Sequence, residues 1–101
     1  MAIKHHSNEN FLDNNKLTFG TSDDLQLYHD GSNSNYITST TSDIYLRNEG
    51  SNDKIFIQAT NGSTLANYIT IDGSSTQVKY DVNLKIHDNK KLILGDGDDL
   101  Q

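Results

Sequence analysis

Three places in the sequence carry residue types that could do chemistry. Asp96-Gly97-Asp98-Asp99 sets three carboxylates around a glycine, and clustered carboxylates can wrap a hard cation such as calcium. An EF-hand loop needs further oxygen ligands at fixed spacing and a glutamate at its twelfth position, and neither follows here. Tyr28-His29-Asp30 puts an imidazole beside a carboxylate, the pairing that general acid–base catalysis uses. Adjacent strand residues point to opposite faces, so His29 and Asp30 are expected to diverge, with His29 ending a strand and Asp30-Gly31 opening a turn. No serine stands in a G-x-S-x-G nucleophile elbow. His29 is kept as a metal or anion candidate only for a ring of copies about a symmetry axis. Tyr28, Tyr36 and Tyr45, among exposed Asn and Asp, are candidate glycan contacts, since aromatic rings stack on sugars. Their competing reading is interface packing with a hydrogen-bonded hydroxyl.

The elements that must position these residues are strands. Apolar residues alternate: Leu25 and Leu27 flank Gln26, Ile44 and Leu46 flank Tyr45, Ile55 and Ile57 flank Phe56, and Ile69 and Ile71 flank Thr70. The longest clean run is 78–87, apolar at Val78, Tyr80, Val82, Leu84 and Ile86. A period of two means one dry face and one wet face. Helical spacing is nowhere sustained, so an all-β chain is expected, with strands of about 4–8 residues. Clusters of Asp, Asn, Gly and Ser separate the runs at 20–24, 30–35, 48–53, 61–63, 72–75 and 87–90. Such residues supply the positive φ of tight turns.

Composition narrows the function classes. The 101 residues are 33% hydrophobic, and Asn, Ser, Thr, Asp and Gly make up about half. Such a chain sits near the level where burial fails to offset chain entropy. Either the fold is flat and repetitive, or several chains share a core. The absence of proline suits strands whose backbone donors are in use. The absence of cysteine excludes a disulfide framework and thiolate metal sites. A net charge of −6 argues against an electrostatic nucleic-acid footprint. No apolar run is long enough for a transmembrane helix, and the N-terminus has no signal-peptide h-region. Residues 1–12, with His5-His6, read as an N-terminal tail or a vector-derived segment.

An internal repeat carries the organisation. Residues 13–26 align with 88–101 at a constant offset of 75, without gaps and with nine identities in fourteen positions. The matches are Asp13/Asp88, Asn14/Asn89, Lys16/Lys91, Leu17/Leu92, Gly20/Gly95, Asp23/Asp98, Asp24/Asp99, Leu25/Leu100 and Gln26/Gln101. Residues 13–87 then form one complete β repeat unit and 88–101 begin a second. A restarting phrase suits a linear array; a strand-turn-strand duplicated inside one sandwich is the alternative. The repeat also weakens the calcium reading, because Thr21 stands where Asp96 would be.

The run LTFGTSDDLQLYHDGSNSNYI, followed by DIYLRNEG, DKIFIQ and VKYDVNLKI, resembles repeats in the tail-fibre and other fibrous structural proteins of marine bacteriophages. Residues 25–34 match the family's DLQIYHDGSNSYI-type segment almost letter for letter, and Val78-Lys79-Tyr80-Asp81 stands where its tyrosine-rich strand falls. An extra Asn35 precedes Tyr36, and the last third of the unit is less typical. The resemblance implies an elongated, repetitive β-structure, a trimeric β-helix or β-prism-like shaft. It implies a place in the virion, assembly in the host cytoplasm, and no catalytic residue or cofactor. The implied partners are two further copies of the chain, neighbouring repeat units and, at most, host cell-surface glycans, with no nucleic acid and no membrane insertion. The alternatives are a glycan-binding β module and, more distantly, a fragment of a polysaccharide depolymerase with its active site elsewhere.

Overall fold

The computed structural model describes residues 7–97. Among these the chain is all-β, with no helix and two separate three-stranded antiparallel sheets. The strands are β1 (Leu17–Phe19), β2 (Leu25–His29), β3 (Asn35–Ser39), β4 (Lys54–Asn61), β5 (Thr64–Asp72) and β6 (Gln77–Tyr80). They run from three to nine residues, a slightly wider range than the expected four to eight. The chain divides into two compact units, residues 1–46 and 47–101. This spatial division falls inside the 75-residue sequence period.

In the first unit β2 is central, between β1 and β3. Leu17 lies across from Leu27 and Phe19 from Leu25; on the other side Leu27 faces Ile37 and Tyr28 faces Tyr36. Because side chains alternate, Leu17, Phe19, Leu25, Leu27 and Ile37 share one face. Thr18, Gln26, Thr38, Tyr28 and Tyr36 share the other. The 20–24 and 30–35 clusters turn as expected: Gly20 has φ +94°, Asp23 +55° and Gly31 +81°. Asp30 closes the second turn, accepting the amide N–H of Ser32 at 2.9 Å and of Ser34 at 3.2 Å.

In the second unit β5 is central, between β4 and β6. Ile55 pairs with Ile71 and Ile71 with Val78; Ile57 pairs with Ile69 and Ile69 with Tyr80. Six apolar residues thus form two continuous cross-strand rows on one face. The opposite face carries Lys54, Asp72 and Gln77, then Phe56, Thr70 and Lys79. A bulge after Ile57 leaves Tyr68 as the extra residue of β5. The two-residue β4–β5 loop begins with Gly62 at φ +66°, the glycine that a type II′ hairpin loop requires.

Two expected strands do not form. Ile44–Leu46 and Val82–Ile86 alternate as a strand should, yet neither belongs to a sheet. The 78–87 run is paired only as far as Tyr80. Alternation specifies a strand-competent segment, but a strand exists only where a partner supplies hydrogen bonds. The expected dry face is also absent within the single chain. No hydrophobic residue among those described is buried, and the two buried residues are Thr70 and Asp72.

Candidate functional site

Each unit carries one open apolar face. In the first unit Leu17, Phe19, Leu27 and Ile37 are exposed, and Leu25 is half-buried. In the second unit Ile57, Ile71, Val78 and Tyr80 are exposed, while Ile55 and Ile69 are half-buried. Single exposed apolar residues are ordinary, but contiguous rows in register mark surfaces made to meet something. Two apolar segments outside the sheets add to them. Tyr45 and Leu46 are 75% exposed, and Val82, Leu84 and Ile86 are exposed as well.

What is buried is polar and fully bonded. Asp72 Oδ1 accepts the Ser74 hydroxyl at 2.7 Å and its amide N–H at 2.9 Å. The Lys79 ammonium donates to Oδ2 at 2.9 Å, with Lys54 3.8 Å from Oδ1. The Ser74 hydroxyl and the Lys79 ammonium together hold the Asp72 carboxyl far below the usual carboxylate range. Thr70 donates its hydroxyl to Asp81 Oδ2 at 2.8 Å. The β5–β6 turn is tied to the segment before β4, where the Gly73 N–H donates to the Asp53 carbonyl at 3.1 Å. No buried side-chain nitrogen or oxygen among the described residues lacks a hydrogen-bond partner. An open, mostly apolar groove adjoins this cluster, lined by Ile71, Asp72, Gly73, Thr76, Gln77 and Val78.

The residues singled out for chemistry separate as the strand geometry requires. His29 Nδ1 and Asn35 Oδ1 are 2.9 Å apart, whereas the Asp30 carboxylate turns into its own loop. The Ser32 and Ser34 amides lower the Asp30 pKa; His29 contributes less. No group of three or more His, Cys, Asp or Glu among the described residues could hold a metal ion. Asp96 lies in a turn at the edge of the described range, and Asp98 and Asp99 lie outside the described residues. Two of the candidate glycan contacts do come together: the rings of Tyr28 and Tyr36 stack at 5.1 Å and 22°. Lys16 sits 4.7 Å from the Tyr28 ring centroid, a cation–π contact that sequence spacing did not suggest. Tyr45 stands outside the strands.

Some backbone features recur at the offset of 75. Asn14 and Asn89 have φ of +62° and +66°, and Gly20 and Gly95 have +94° and +82°. The Asn15 N–H donates to the Leu12 carbonyl at 2.9 Å, and the Lys90 N–H donates to the His87 carbonyl at 3.1 Å. Both pairs keep the offset of 75. Leu17 continues into β1, but its counterpart Leu92 forms no strand among the described residues. Of the other repeat residues, Leu100 and Gln101 lie outside the described range. Comparison with protein-family models, curated proteins and solved structures gives no match.

Proposed function

We propose that this chain is a non-enzymatic structural segment of a phage-type tail fibre, a self-assembling β-rich shaft that spaces a virion from its host-binding tip. One observation carries the reading: two amphipathic sheets hold their apolar rows in register, and no hydrophobic side chain among the described residues is buried. Fully burying a large apolar side chain is worth about 1.5–3 kcal/mol. About half of that remains to be gained at each of about ten side chains on the two faces, roughly 10 kcal/mol per chain. That is as large as the whole stability of an ordinary domain, about 5–15 kcal/mol. Association is therefore where this chain finds its core. A homotrimer around a common axis covers each apolar face with two neighbours, brings further strands beside Ile44–Leu46 and Val82–Ile86, and leaves fewer strand edges open. The resemblance to fibre repeats supports the same geometry, with length set by the number of repeat units and no cofactor needed.

Light scattering on the purified chain tests the proposal. A mass of three chains, with a gel band that resists SDS until boiling, is the expected result. A stable monomer at all concentrations would sink it. The stacked Tyr28–Tyr36 pair beside Lys16 supports a second reading, a module that binds host-surface glycans. That reading expects retention on a glycan array that Tyr28→Ala and Tyr36→Ala abolish.

A further inference from the structure

We propose that residues 82–86 of a second copy of this chain add to the free edge of β4 as an antiparallel strand, with Leu84 set across from Ile57. β4 is an outer strand of its sheet and runs eight residues, Lys54–Asn61. Strand edges are ordinarily blunted by charge, proline or a covering segment, because their open backbone groups template pairing with another chain. From Ile55 to Asn61 this edge carries no charged residue and no proline, and the bulge puts its extra residue on β5. β6, at the other edge, is four residues long and carries Lys79.

The backbone shows which groups of β4 face outward. The Gly73 N–H donates to the Asp53 carbonyl, so odd-numbered residues here bond toward β5 and even-numbered ones turn away. The Lys54 carbonyl accordingly accepts from the Asn48 side-chain amide at 2.9 Å. Phe56 and Gln58 present the next outward N–H and C=O groups.

Val82, Leu84 and Ile86 alternate with Asn83 and Lys85, lie outside the sheets and are 42%, 53% and 43% exposed. One antiparallel register matches them to β4. It sets Ile86 across from Ile55, Leu84 from Ile57 and Val82 from Ala59, with Lys85 across from Phe56 and Asn83 from Gln58. The apolar rows Val78–Ile71–Ile55 and Tyr80–Ile69–Ile57 each gain a further member on the same face. A slip of one residue turns the apolar set to the wrong face. A slip of two puts Lys85 across from Lys54 in one direction and Asp88 across from Ile55 in the other. Parallel pairing is less stable per residue.

The added strand has to come from another copy. The position beyond β4 lies three strand spacings from β6, about 14 Å. Only Asp81 separates Tyr80 from Val82, and that stretch of chain spans about 7 Å at most. Asp81 is also tied down: its N–H donates to the Tyr68 carbonyl at 2.9 Å, and its carboxylate accepts the Thr70 hydroxyl at 2.8 Å. A chain therefore cannot lay its own 82–86 on its own β4 in this register. Edge and strand are different surfaces, so the contact is heterologous. It closes into a ring when the rotation between copies divides a full turn, and otherwise continues as a filament. The pairing rests on the self-association proposed above and specifies one interface within it.

Disulfide trapping tests the register. Gln58 and Asn83 would face each other with about 5.5 Å between Cα atoms, within disulfide reach, and the chain has no cysteine of its own. A full-length Asn83→Cys donor and a full-length, mass-tagged Gln58→Cys acceptor are unfolded together in urea, refolded and mildly oxidised. The donor–acceptor dimer should form about tenfold more readily than with a Lys85→Cys donor, which would stand about 7–8 Å away on the diagonal. Leu84→Asp in the donor should bring the yield down to that control. Phe56→Pro in the acceptor should do the same, since it removes an outward N–H and spares the β4–β5 ladder.

A Lys85→Cys yield equal to or above that of Asn83→Cys would overturn the pairing. So would a yield that Leu84→Asp and Phe56→Pro both leave unchanged. A trimer mass by light scattering without the Gln58–Asn83 crosslink leaves the shaft reading standing and the edge pairing refuted. The crosslink in an assembly of another mass supports the edge pairing and refutes the trimer.

Discussion

Asn14 and Asn89, 75 residues apart, hold the same left-handed backbone conformation and open the same turn. Asparagine tolerates this region because its short amide can bond locally, whereas a β-branched residue is pushed against its own carbonyl. Asn14 also anchors β1 by donating to His29. Asn14→Gly should leave the stability of the first unit within about 0.5 kcal/mol, and Asn14→Val should cost about 1–2 kcal/mol. Urea denaturation followed by tyrosine fluorescence would show the difference.

Ile71 sits in the central strand of the second sheet, between Ile55 and Val78, and is 40% exposed. An aspartate there remains hydrated in the single chain but has to be stripped of water in an assembly. Ile71→Asp should lower self-association by at least tenfold, about 1.4 kcal/mol, and change the chain's circular dichroism little. Sedimentation velocity across a concentration series measures it. Phe56→Asp, on the opposite face, should have a smaller effect.

Two glycines separate the cost of backbone conformation from the cost of space. Gly62 has φ +66°, and a Cβ there would meet nothing within 4 Å, whereas a Cβ on Gly73 would lie 2.6 Å from the Asp53 carbonyl oxygen. Gly62→Ala should therefore cost about 1–2 kcal/mol from conformation alone. Gly73→Ala should cost more, because backbone must move and the Gly73–Asp53 hydrogen bond is strained. Thermal melts of the two variants decide the order.

The pH dependence of stability should centre on Asp72. Its carboxyl titrates in the folded chain far below its ordinary value of 3.8. A depressed folded pKa gives stability that is present above the unfolded pKa and lost as pH falls toward the folded one. Stability should thus decline progressively below about pH 4–5, with Asp30 adding in the same direction. Asp72→Asn should be less stable than the parent at pH 7 and show a flatter decline. Urea titrations at half-unit steps of pH would reveal both effects.

Thr76 has φ +56° in the β5–β6 turn, a conformation that β-branched residues avoid. Thr76→Asn should relieve part of that strain and stabilise the second unit by about 0.5–1 kcal/mol. A higher melting temperature in calorimetry is the expected outcome.

The sequence by itself determined the class of structure and most of its punctuation. Alternation at Leu25–Leu27, Ile55–Ile57 and Ile69–Ile71 marks strands because a period of two is a property of the extended backbone. Asp30-Gly31, Gly62 and Asp72-Gly73 mark turns because their side chains, or lack of one, fit the required conformations. The 75-residue offset was legible as identity, and Asn14 and Asn89 both take left-handed φ angles, +62° and +66°. Only the tertiary structure decided which alternating runs become strands. Val78 and Tyr80 pair with β5 while Val82, Leu84 and Ile86 do not, because pairing depends on a partner that a run's own letters do not name. The same holds for burial. Alternation shows which side chains share a face, but the cover over that face comes from other parts of the fold. Here register gathers the isoleucines into open rows, while the Ser74 and Lys79 contacts enclose Asp72.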